Sequence, residues 1–185
     1  DAWRMFMRSV PNPPDAVAFP ETEQDVVRVL DWCDQIGAKA IPYGGGSSVV
    51  KGIEPQASFD KVVTISTRHM DKVLEVDPVS QAARIQGGVY GPHIEEQLRD
   101  TPFTMRHYMQ AYRCSSLGGW IATRSGGHYA TLYTHIDDFV ESTRVVTPVG
   151  TLETRRLPGS GAGPSPDRMF IGSEGNLYVH YGVHV

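Results

Sequence analysis

The sequence predicts a fold that mixes helices and strands, and two observations carry this prediction. Residues 16–43 show the order strand, helix, strand, which is typical of a small βαβ unit. From residue 62 onward, short runs rich in β-branched residues alternate with Pro and Gly turns, and residues 148–150 predict a hairpin. At 185 residues, the chain can bury one substantial core, which can be divided between two lobes.

The first helix has clear boundaries in the sequence. Thr22 stands at an N-cap position with Asp25 three residues later, which is the pattern of a capping box. Apolar residues then recur at helical spacing, namely Val26, Val29, Leu30, Cys33 and Ile36. Gly37 ends the helix, and a strand at 40–42 leads directly into three glycines. These glycines therefore lie at the carboxyl end of a strand.

The later part of the chain is predicted to contain strands, turns and one short helix. The first strands lie at 62–65, 73–76 and 82–85. Ile94 and Leu98 are four residues apart, which favours a helix over 91–98. Residues 139–147 alternate as a strand does, and 151–154 return after the hairpin turn. Residues 1–14 are predicted to be an N-terminal arm, and 158–166 a surface loop.

Composition and charge exclude several classes of function. The net charge of −4 argues against a nucleic-acid or anionic-membrane partner. The chain has two cysteines without metal-ligand spacing, which suits a reducing compartment better than a disulfide scaffold. It has no apolar run long enough to span a membrane and no clear targeting segment. We therefore expect a cytoplasmic chain without a transmembrane segment.

The most informative stretch is the glycine loop, residues 42–48, with the sequence Pro-Tyr-Gly-Gly-Gly-Ser-Ser. Glycine lacks a Cβ, so its backbone can take positive φ and lets a ligand approach closely. Consecutive N–H groups in such a turn form a concave nest for anionic oxygens, and Ser47 and Ser48 add hydroxyl donors. The loop therefore predicts a phosphate-bearing ligand. The alternative at this point is a tight solvent-exposed turn.

Two further stretches combine small residues with hydrogen-bond donors. The first runs from Ser115 to His128, with paired glycines at 118–119 and 126–127 and the donors Thr123, Arg124 and Ser125 between them. The second is Ile171-Gly-Ser-Glu-Gly175. Three such loops at the ends of predicted elements are difficult to explain as turns alone, so a second and a third wall of the ligand site are predicted.

Together these pieces resemble the FAD-binding (PCMH-type) domain of the FAD-linked oxidase family. Within that family the likeness is closest to the flavin domain of the alkyldihydroxyacetonephosphate synthases. It covers residues 12–180 and rests on the glycine loop, on Ser116-Leu-Gly-Gly-Trp-Ile-Ala-Thr-Arg124, on Ile136-Asp-Asp138 before a strand, and on residues 171–175. The resemblance implies an α+β, two-lobed fold, with a small parallel βαβ lobe over residues 15–66 and a larger, mostly antiparallel sheet with flanking helices over 67–185.

The resemblance also implies which residues hold FAD between the two lobes. The diphosphate would lie on Pro42, Tyr43, Gly44, Gly45, Gly46, Ser47 and Ser48. Residues beside the flavin would be Ser115, Ser116, Gly118 and Gly119, and those along the ring and ribityl chain Thr123, Arg124, Ser125 and Gly126. Ile136 would meet the adenine side, and Glu174 with Gly175 would close the pocket. The residue chemistry agrees, because a diphosphate needs N–H donors and a flat ring needs small neighbours.

Two runs depart from the pattern of the family. Before the paired serines the family usually has a serine, an acidic residue and an aromatic residue, whereas the corresponding run in this chain is Gln110-Ala-Tyr-Arg-Cys114, in which Arg113 reverses a charge and Cys114 is a smaller side chain. After Gly175 the family commonly has a glycine at the position of Tyr178, where a bulky ring would stand beside the cofactor. These departures lead to an alternative interpretation, a redesigned or miniaturised flavin-domain scaffold with altered or lost FAD binding and no native catalysis.

Nothing in the sequence matches the cap domain that supplies most substrate contacts in the resembled enzymes. FAD carries the redox or adduct chemistry itself, so the resemblance implies the cofactor part of an oxidoreductase or synthase and names no catalytic residue. A small-molecule or lipid-like substrate would be met through the missing cap. Noncovalent FAD is expected, since His128 and Cys114 match no linkage position, and the histidine spacings predict no metal site. Arg124 has an alternative role as a surface ion-pair partner, and Trp120 and Tyr133 are expected to be packed aromatics.

Overall fold

The computed structural model of the chain describes residues 7, 11–132, 135–156, 163–176 and 178–185. Most of the predicted N-terminal arm, most of the predicted loop at 158–166, and Tyr133 lie outside these residues. Among the described helices, none combines the length and the apolar character that crossing a membrane requires.

The first lobe contains a three-stranded parallel sheet, as the βαβ pattern predicts. Its strands are β1 (Ala16–Ala18), β2 (Lys39–Tyr43) and β3 (Val62–Ser66), in the order β1-β3-β2. The central strand β3 is buried along its whole length, which explains its unbroken run of β-branched residues. Strand β2 ends at Tyr43, so the glycine loop begins at the carboxyl edge of this sheet.

Helix α1 (Glu23–Ile36) connects β1 to β2 and has the predicted ends. The Thr22 hydroxyl accepts a hydrogen bond from the Asp25 N–H at 3.2 Å, and the Asp25 carboxylate accepts one from the Thr22 N–H at 3.0 Å. This reciprocal pair is a complete capping box. Gly37 ends the helix with φ 66°, a conformation that favours glycine.

The second lobe is a five-stranded antiparallel sheet. Its strands are β4 (Val73–Asp77), β5 (Ala82–Gln86), β6 (Ser142–Thr147), β7 (Gly150–Glu153) and β8 (Val179–His184), in the order β4-β5-β8-β6-β7. Helix α2 (Gly91–Leu98) has the predicted bounds. Two α-helical turns, α4 (Ile136–Phe139) and α5 (Asp167–Phe170), complete this lobe together with helix α3 (Leu117–Ala122).

Three elements differ from the sequence-based prediction. The strand expected over 139–147 begins only at Ser142, because Ile136–Phe139 form the helical turn α4, which buries Ile136. The prediction of loop structure over 117–122 was wrong, because these residues form α3 despite two glycines. Strand β8 was not predicted, although it lies at the centre of the sheet.

The two sheets share a core, which fixes their positions relative to one another. One apolar cluster combines Val26 of α1 and Ile65 of β3 with Val146 of β6 and Val179 of β8. The Arg144 guanidinium on β6 also pairs with the Glu23 carboxylate at the start of α1, at 2.5 Å from Nε to Oε2. This ion pair holds the pKa of Glu23 below its usual value. Helix α1 therefore makes packing and ion-pair contacts with both lobes.

Candidate functional site

A cavity of about 350 Å³ lies between the glycine loop, helix α3 and the residues Glu174, Gly175, Tyr178 and Val179. Its volume lies within the range of pockets that bind small molecules and cofactors. Fourteen of the eighteen residues predicted to hold the cofactor line it: Pro42, Tyr43, Gly44, Gly45, Gly46, Ser47, Ser48, Ser115, Ser116, Gly118, Gly119, Thr123, Glu174 and Gly175. The fold therefore brings the three small-residue loops of the sequence around one space.

The glycine loop lines this cavity with residues whose backbone donors are unpaired within the protein. Within the described part of the chain, the N–H groups of residues 44–48 donate no hydrogen bond to another protein group. In contrast, the preceding Tyr43 carbonyl accepts a hydrogen bond from the Thr67 N–H at 3.0 Å. Gly46 has φ 70°, which turns the loop in a way that favours glycine. Unpaired N–H groups that line a cavity are the feature expected of an anion-binding nest.

The glycine loop is pressed against the segment that precedes helix α3. A Cβ at Gly44 would lie 2.1 Å from the Ser116 hydroxyl oxygen, and a Cβ at Gly45 would lie 1.8 Å from the Cys114 carbonyl oxygen. Real Cβ atoms essentially never come within 3.0 Å of such atoms. Glycine at 44 and 45 is therefore required by the close approach of the two walls.

Helix α3 forms the second wall and is held from behind by buried side chains. Trp120 is 1% exposed, and its indole N–H donates to the Ser115 hydroxyl at 2.7 Å. The Tyr112 ring stacks on Trp120 with ring centroids 6.1 Å apart. The expectation that Trp120 is a packed aromatic is therefore confirmed, although part of this residue also lines the cavity.

Residues 171–175 close one side of the cavity. The Gly172 N–H donates to the Ile121 carbonyl at 3.0 Å, and the Glu174 N–H donates to the Ala122 carbonyl at 2.8 Å. Glu174 has φ 58°, a left-handed conformation that is uncommon for a residue with a side chain. Among the described lining residues, Glu174 is the only one with a charged side chain. An anion in this cavity would therefore be held by neutral N–H and O–H donors.

Four predicted cofactor residues lie outside the lining of the cavity. They are Arg124, Ser125, Gly126 and Ile136. Arg124 pairs with the Asp137 carboxylate, at 2.9 Å from Nη2 to Oδ2, as its alternative role predicts. Although burial favours the neutral acid, Arg124 and Arg168 hold the pKa of Asp137 below its usual value. The Ile136 side chain is fully buried in the core beside α3.

The residues that depart from the family pattern have different environments. Arg113 and Cys114 are exposed. Tyr178 is 4% exposed, and its ring meets the Phe170 ring edge-on with centroids 4.9 Å apart. Its hydroxyl donates to the Phe170 carbonyl, and burial raises the pKa of this phenol to about 12. Tyr178 is therefore a packed residue that also contributes to the wall of the cavity.

Several lining residues were not predicted from the sequence. They are Val49, Val50, Gly52, Ile53, Thr67, Gly87, Met109, Gln110, Ala111, Trp120, Ala122, Tyr178 and Val179. Val49 and Val50 are 93% and 65% exposed, which is unusual for adjacent valines. Their position directly after the glycine loop was a signal in the sequence that these valines belong to the same site. The remaining residues are brought to the cavity by contacts between distant parts of the chain.

His107 leads to a prediction about the pH dependence of stability. Its ring is 2% exposed, and burial, assisted by nearby His135, lowers its pKa from 6.5 to about 4. Between these two pH values the unfolded chain binds more protons at this residue than the folded protein does. The stability should therefore decrease as the pH falls through this window, by up to about 3 kcal/mol from His107 alone.

Urea unfolding at a series of pH values, with His107→Phe as the matched variant, measures this effect. Phenylalanine keeps the ring contacts that His107 makes with Trp120 and Phe139 but cannot bind a proton. His184, whose pKa burial also lowers, contributes in the same direction and remains in both proteins. We expect the variant to show a flatter stability profile across the window. Identical profiles for the two proteins would contradict the assignment of this pH dependence to His107.

The site fits the dinucleotide cofactor that the sequence predicts. The unpaired N–H groups at 44–48 suit the two anionic charges of a diphosphate. The small residues Gly118 and Gly119 and the apolar residues of the lining suit a flat ring system. The cavity therefore combines a polar nest at one wall with an apolar surface at the other.

Comparisons with known proteins agree with this site. The family described as "FAD binding domain" matches residues 14–155. The alkyldihydroxyacetonephosphate synthase of Dictyostelium discoideum is 40% identical over 179 residues, which cover 97% of this chain and 29% of that protein. The synthase of Trypanosoma brucei brucei is 38% identical over 95% of this chain and 29% of its own length. An uncharacterized FAD-linked oxidoreductase of Escherichia coli strain K12 is 31% identical over 91% of this chain and 34% of its own length.

A solved structure shows the same fold. An alkyldihydroxyacetonephosphate synthase in crystal form P212121 superposes with a TM-score of 0.92 at 38% identity, covering 100% of this chain and 33% of that one. The predicted combination of a small parallel sheet and a larger antiparallel sheet is therefore confirmed. This chain spans about a third or less of the length of these relatives. It belongs to the FAD binding domain family, and FAD is its cofactor.

Proposed function

We propose that this chain binds FAD noncovalently as the cofactor-holding part of a larger flavoenzyme. That enzyme is an FAD-linked oxidoreductase or a synthase similar to alkyldihydroxyacetonephosphate synthase. The observation that carries the proposal is the row of N–H groups at 44–48, which have no protein acceptor in the described part of the chain and belong to residues that line the cavity. Residues 44–48 are half-buried or exposed, so these donors can be reached by a ligand, and a bound diphosphate would satisfy them.

In this proposal the residues of the chain bind and orient the cofactor. The glycine loop donates to the diphosphate, and Gly118 and Gly119 let the cofactor approach helix α3 closely. Thr123 and Glu174 line the cavity, and Gly175 allows the chain to turn there with φ 78°. Bound FAD supplies the redox or adduct chemistry. The chain's contribution is the position of the cofactor and the exclusion of water from one side of it.

The environments of the two candidate attachment residues support noncovalent binding. Neither Cys114 nor His128 lines the cavity. The His128 ring nitrogen Nδ1 is 2.9 Å from the Tyr108 carbonyl, so this nitrogen already has a partner within the protein. Extraction of the loaded protein with denaturant should therefore release all flavin into the soluble fraction.

The substrate belongs to the part of the enzyme beyond this domain. The relatives are about three times longer than the chain, so a cap domain that meets a small-molecule or lipid-like substrate is part of the proposal. Two unpaired cysteines, buried Cys33 and exposed Cys114, suit the reducing conditions of the cytoplasm.

The direct test is the absorbance spectrum of the purified protein after incubation with FAD and desalting. We expect flavin bands that remain with the protein, and quenching or a shift of flavin fluorescence on titration. The heat-denatured chain is the matched control, because it has the same composition without the folded cavity. A spectrum without flavin, and a titration without saturation, would contradict the proposal.

A second candidate function is favoured by one observation, the presence of the Tyr178 ring in the wall of the cavity. In this alternative the domain is a scaffold whose FAD binding is weakened or lost. The same titration separates the two, because a scaffold of this kind folds cooperatively but does not saturate with FAD.

A further inference from the structure

Asp137 on the helical turn α4 has a buried carboxylate where three elements meet. Its side chain is 3% exposed. One carboxylate oxygen, Oδ2, accepts from Arg124 after helix α3, at 3.1 Å from Nε and 2.9 Å from Nη2. The same oxygen accepts from Arg168 on α5, at 2.5 Å from Nη1. Asp137 therefore joins the end of α3 to α5 through α4, although it does not line the cavity.

The third wall of the cavity, residues 171–175, follows α5 directly. Gly172, Glu174 and Gly175 have φ values of 82°, 58° and 78°, so this segment is neither helix nor strand. The N–H groups of Gly172 and Glu174 donate instead to carbonyls in the last turn of α3, at 3.0 and 2.8 Å. Glu174 and Gly175 line the cavity. The position of this part of the lining therefore depends on how the third wall is held against α3.

The two arginines that meet at Asp137 lie on the two sides of this junction. A Cβ placed at Gly172 would lie 3.6 Å from the Arg124 Cβ and 3.9 Å from its Cδ, so the aliphatic part of Arg124 lies beside the third wall. Arg168 stands four residues before Gly172, on the helical turn that leads into the wall. An ion pair that joins Arg124 to Arg168 through Asp137 therefore acts in parallel with the backbone hydrogen bonds from the third wall to α3.

Burial of the carboxylate makes this arrangement different from an ordinary surface ion pair. The side chains of Arg124 and Arg168 are 62% and 53% exposed, and exposed ion pairs contribute little to stability. The Asp137 carboxylate, in contrast, is shielded from water, and a buried charge without its partners is strongly unfavourable. Both guanidiniums must therefore stay on this oxygen, and Asp137 is the member of the cluster that fixes their positions.

We propose that Asp137 is a positioning residue for the FAD site, which keeps the third wall against helix α3 by holding Arg124 and Arg168 on one oxygen. This inference rests on the proposed function, since the wall that it positions belongs to the same cavity. Asp137 acts through the other residues of the cluster. Loss of its charge should loosen the third wall and weaken FAD binding while the rest of the domain stays folded.

The test compares wild type with Asp137→Asn, which keeps the size of the side chain and removes the charge. Hydrogen exchange of the Gly172 and Glu174 amides, followed by NMR before FAD is added, reports how often the third wall leaves α3. We expect exchange about tenfold faster in the variant, and FAD binding weakened about tenfold, which corresponds to the loss of one charged hydrogen bond. The amides of helix α1 are the reference, because a general loss of stability would speed their exchange as well.

Asp138→Asn is the matched control, because it makes the same change of charge one residue later. The Asp138 side chain is 53% exposed and lies 3.8 Å from the Arg168 Nη2. We expect this variant to keep the amide exchange and the FAD affinity within about twofold of wild type. Arg168→Gln alters the cluster from α5 and should change both quantities in the same direction as Asp137→Asn. It tests the inference at a half-exposed position if Asp137→Asn does not fold.

The outcomes separate this inference from the function on which it rests. Unchanged exchange at Gly172 and Glu174 in Asp137→Asn, or an equal increase in Asp138→Asn or throughout α1, would overturn it. Faster exchange of the two amides with wild-type FAD affinity would also overturn it, because the third wall would then move without effect on the cofactor. A wild-type protein that binds no FAD contradicts the proposed function, whereas the exchange rates still decide whether Asp137 holds the wall.

Discussion

Gly45→Ala is expected to weaken FAD binding by at least about 100-fold, or about 2.7 kcal/mol. The new Cβ would lie 1.8 Å from the Cys114 carbonyl oxygen and 2.7 Å from the Ser115 Cα. Both neighbours are backbone atoms and cannot rotate away, so one wall of the cavity must move. Such a movement changes the position of the N–H groups of the glycine loop relative to the donors on the opposite wall. Flavin fluorescence quenching measures the dissociation constant.

Gly52→Ala is the matched control for this substitution. Gly52 lines the same cavity in the same segment, but a Cβ there would meet no atom closer than the Glu174 carboxylate oxygen at 3.8 Å. We expect it to bind FAD within about threefold of wild type. Circular dichroism and urea unfolding of both variants separate a local shift of the loop from a loss of folding. Retention of wild-type affinity by Gly45→Ala would mean that the diphosphate does not bind at this loop.

The sequence predicted best those elements whose determinants are local. Helix α1 carries its start signal at Thr22 and Asp25 and its stop at Gly37, all within one element, and its bounds were predicted correctly. The strands β3, β4 and β5 were each predicted to within one residue of their ends. Local hydrogen bonds and side-chain alternation are sufficient to define such elements.

The elements that were missed depend on packing between distant residues. Helix α3 contains two glycines, which disfavour a helix, yet Leu117, Trp120 and Ile121 are buried to 1% exposure or less. Burial of these side chains outweighs the low helix propensity. Strand β8 interleaves polar residues and a glycine with valines, and it is stabilised by pairing with β5 and β6. Neither kind of stabilisation is visible in a short window of sequence.

The candidate site shows the same difference between features with local determinants and features that depend on distant residues. The glycine loop could be identified because consecutive glycines disfavour regular helices and strands and permit close approach to a ligand. The contacts of Ser115 with Trp120 and of Ser116 with Gly44 could not be predicted, because they depend on the position of helix α3 in the fold. For Arg124 the sequence predicted an ion pair as an alternative role but could not identify the partner, because Asp137 lies on another element. Residue type thus indicates where a ligand can bind, and the hydrogen bonds within the fold decide which groups remain available for it.

Tyr178→Gly is expected to lower the free energy of unfolding by about 3–5 kcal/mol, the usual cost of removing a buried aromatic ring. The ring packs edge-on against Phe170 and beside Val145, and its hydroxyl donates to the Phe170 carbonyl. Glycine would remove these contacts and add backbone freedom to the unfolded chain. Urea unfolding at constant pH measures the change.

The sequence alone suggests a different result, in which glycine at 178 relieves crowding and FAD binds more tightly. Tyr178→Phe distinguishes the two roles of the ring, because it keeps the ring and removes only the hydroxyl, at an expected cost of about 1–2 kcal/mol. If the ring is mainly a packed core residue, FAD affinity should be similar in wild type and Tyr178→Phe and should not increase in Tyr178→Gly. If Tyr178→Gly kept wild-type stability and bound FAD more tightly, the ring would contribute no packing energy to the fold. Its main effect would then be to obstruct the cofactor, which would contradict the packed role.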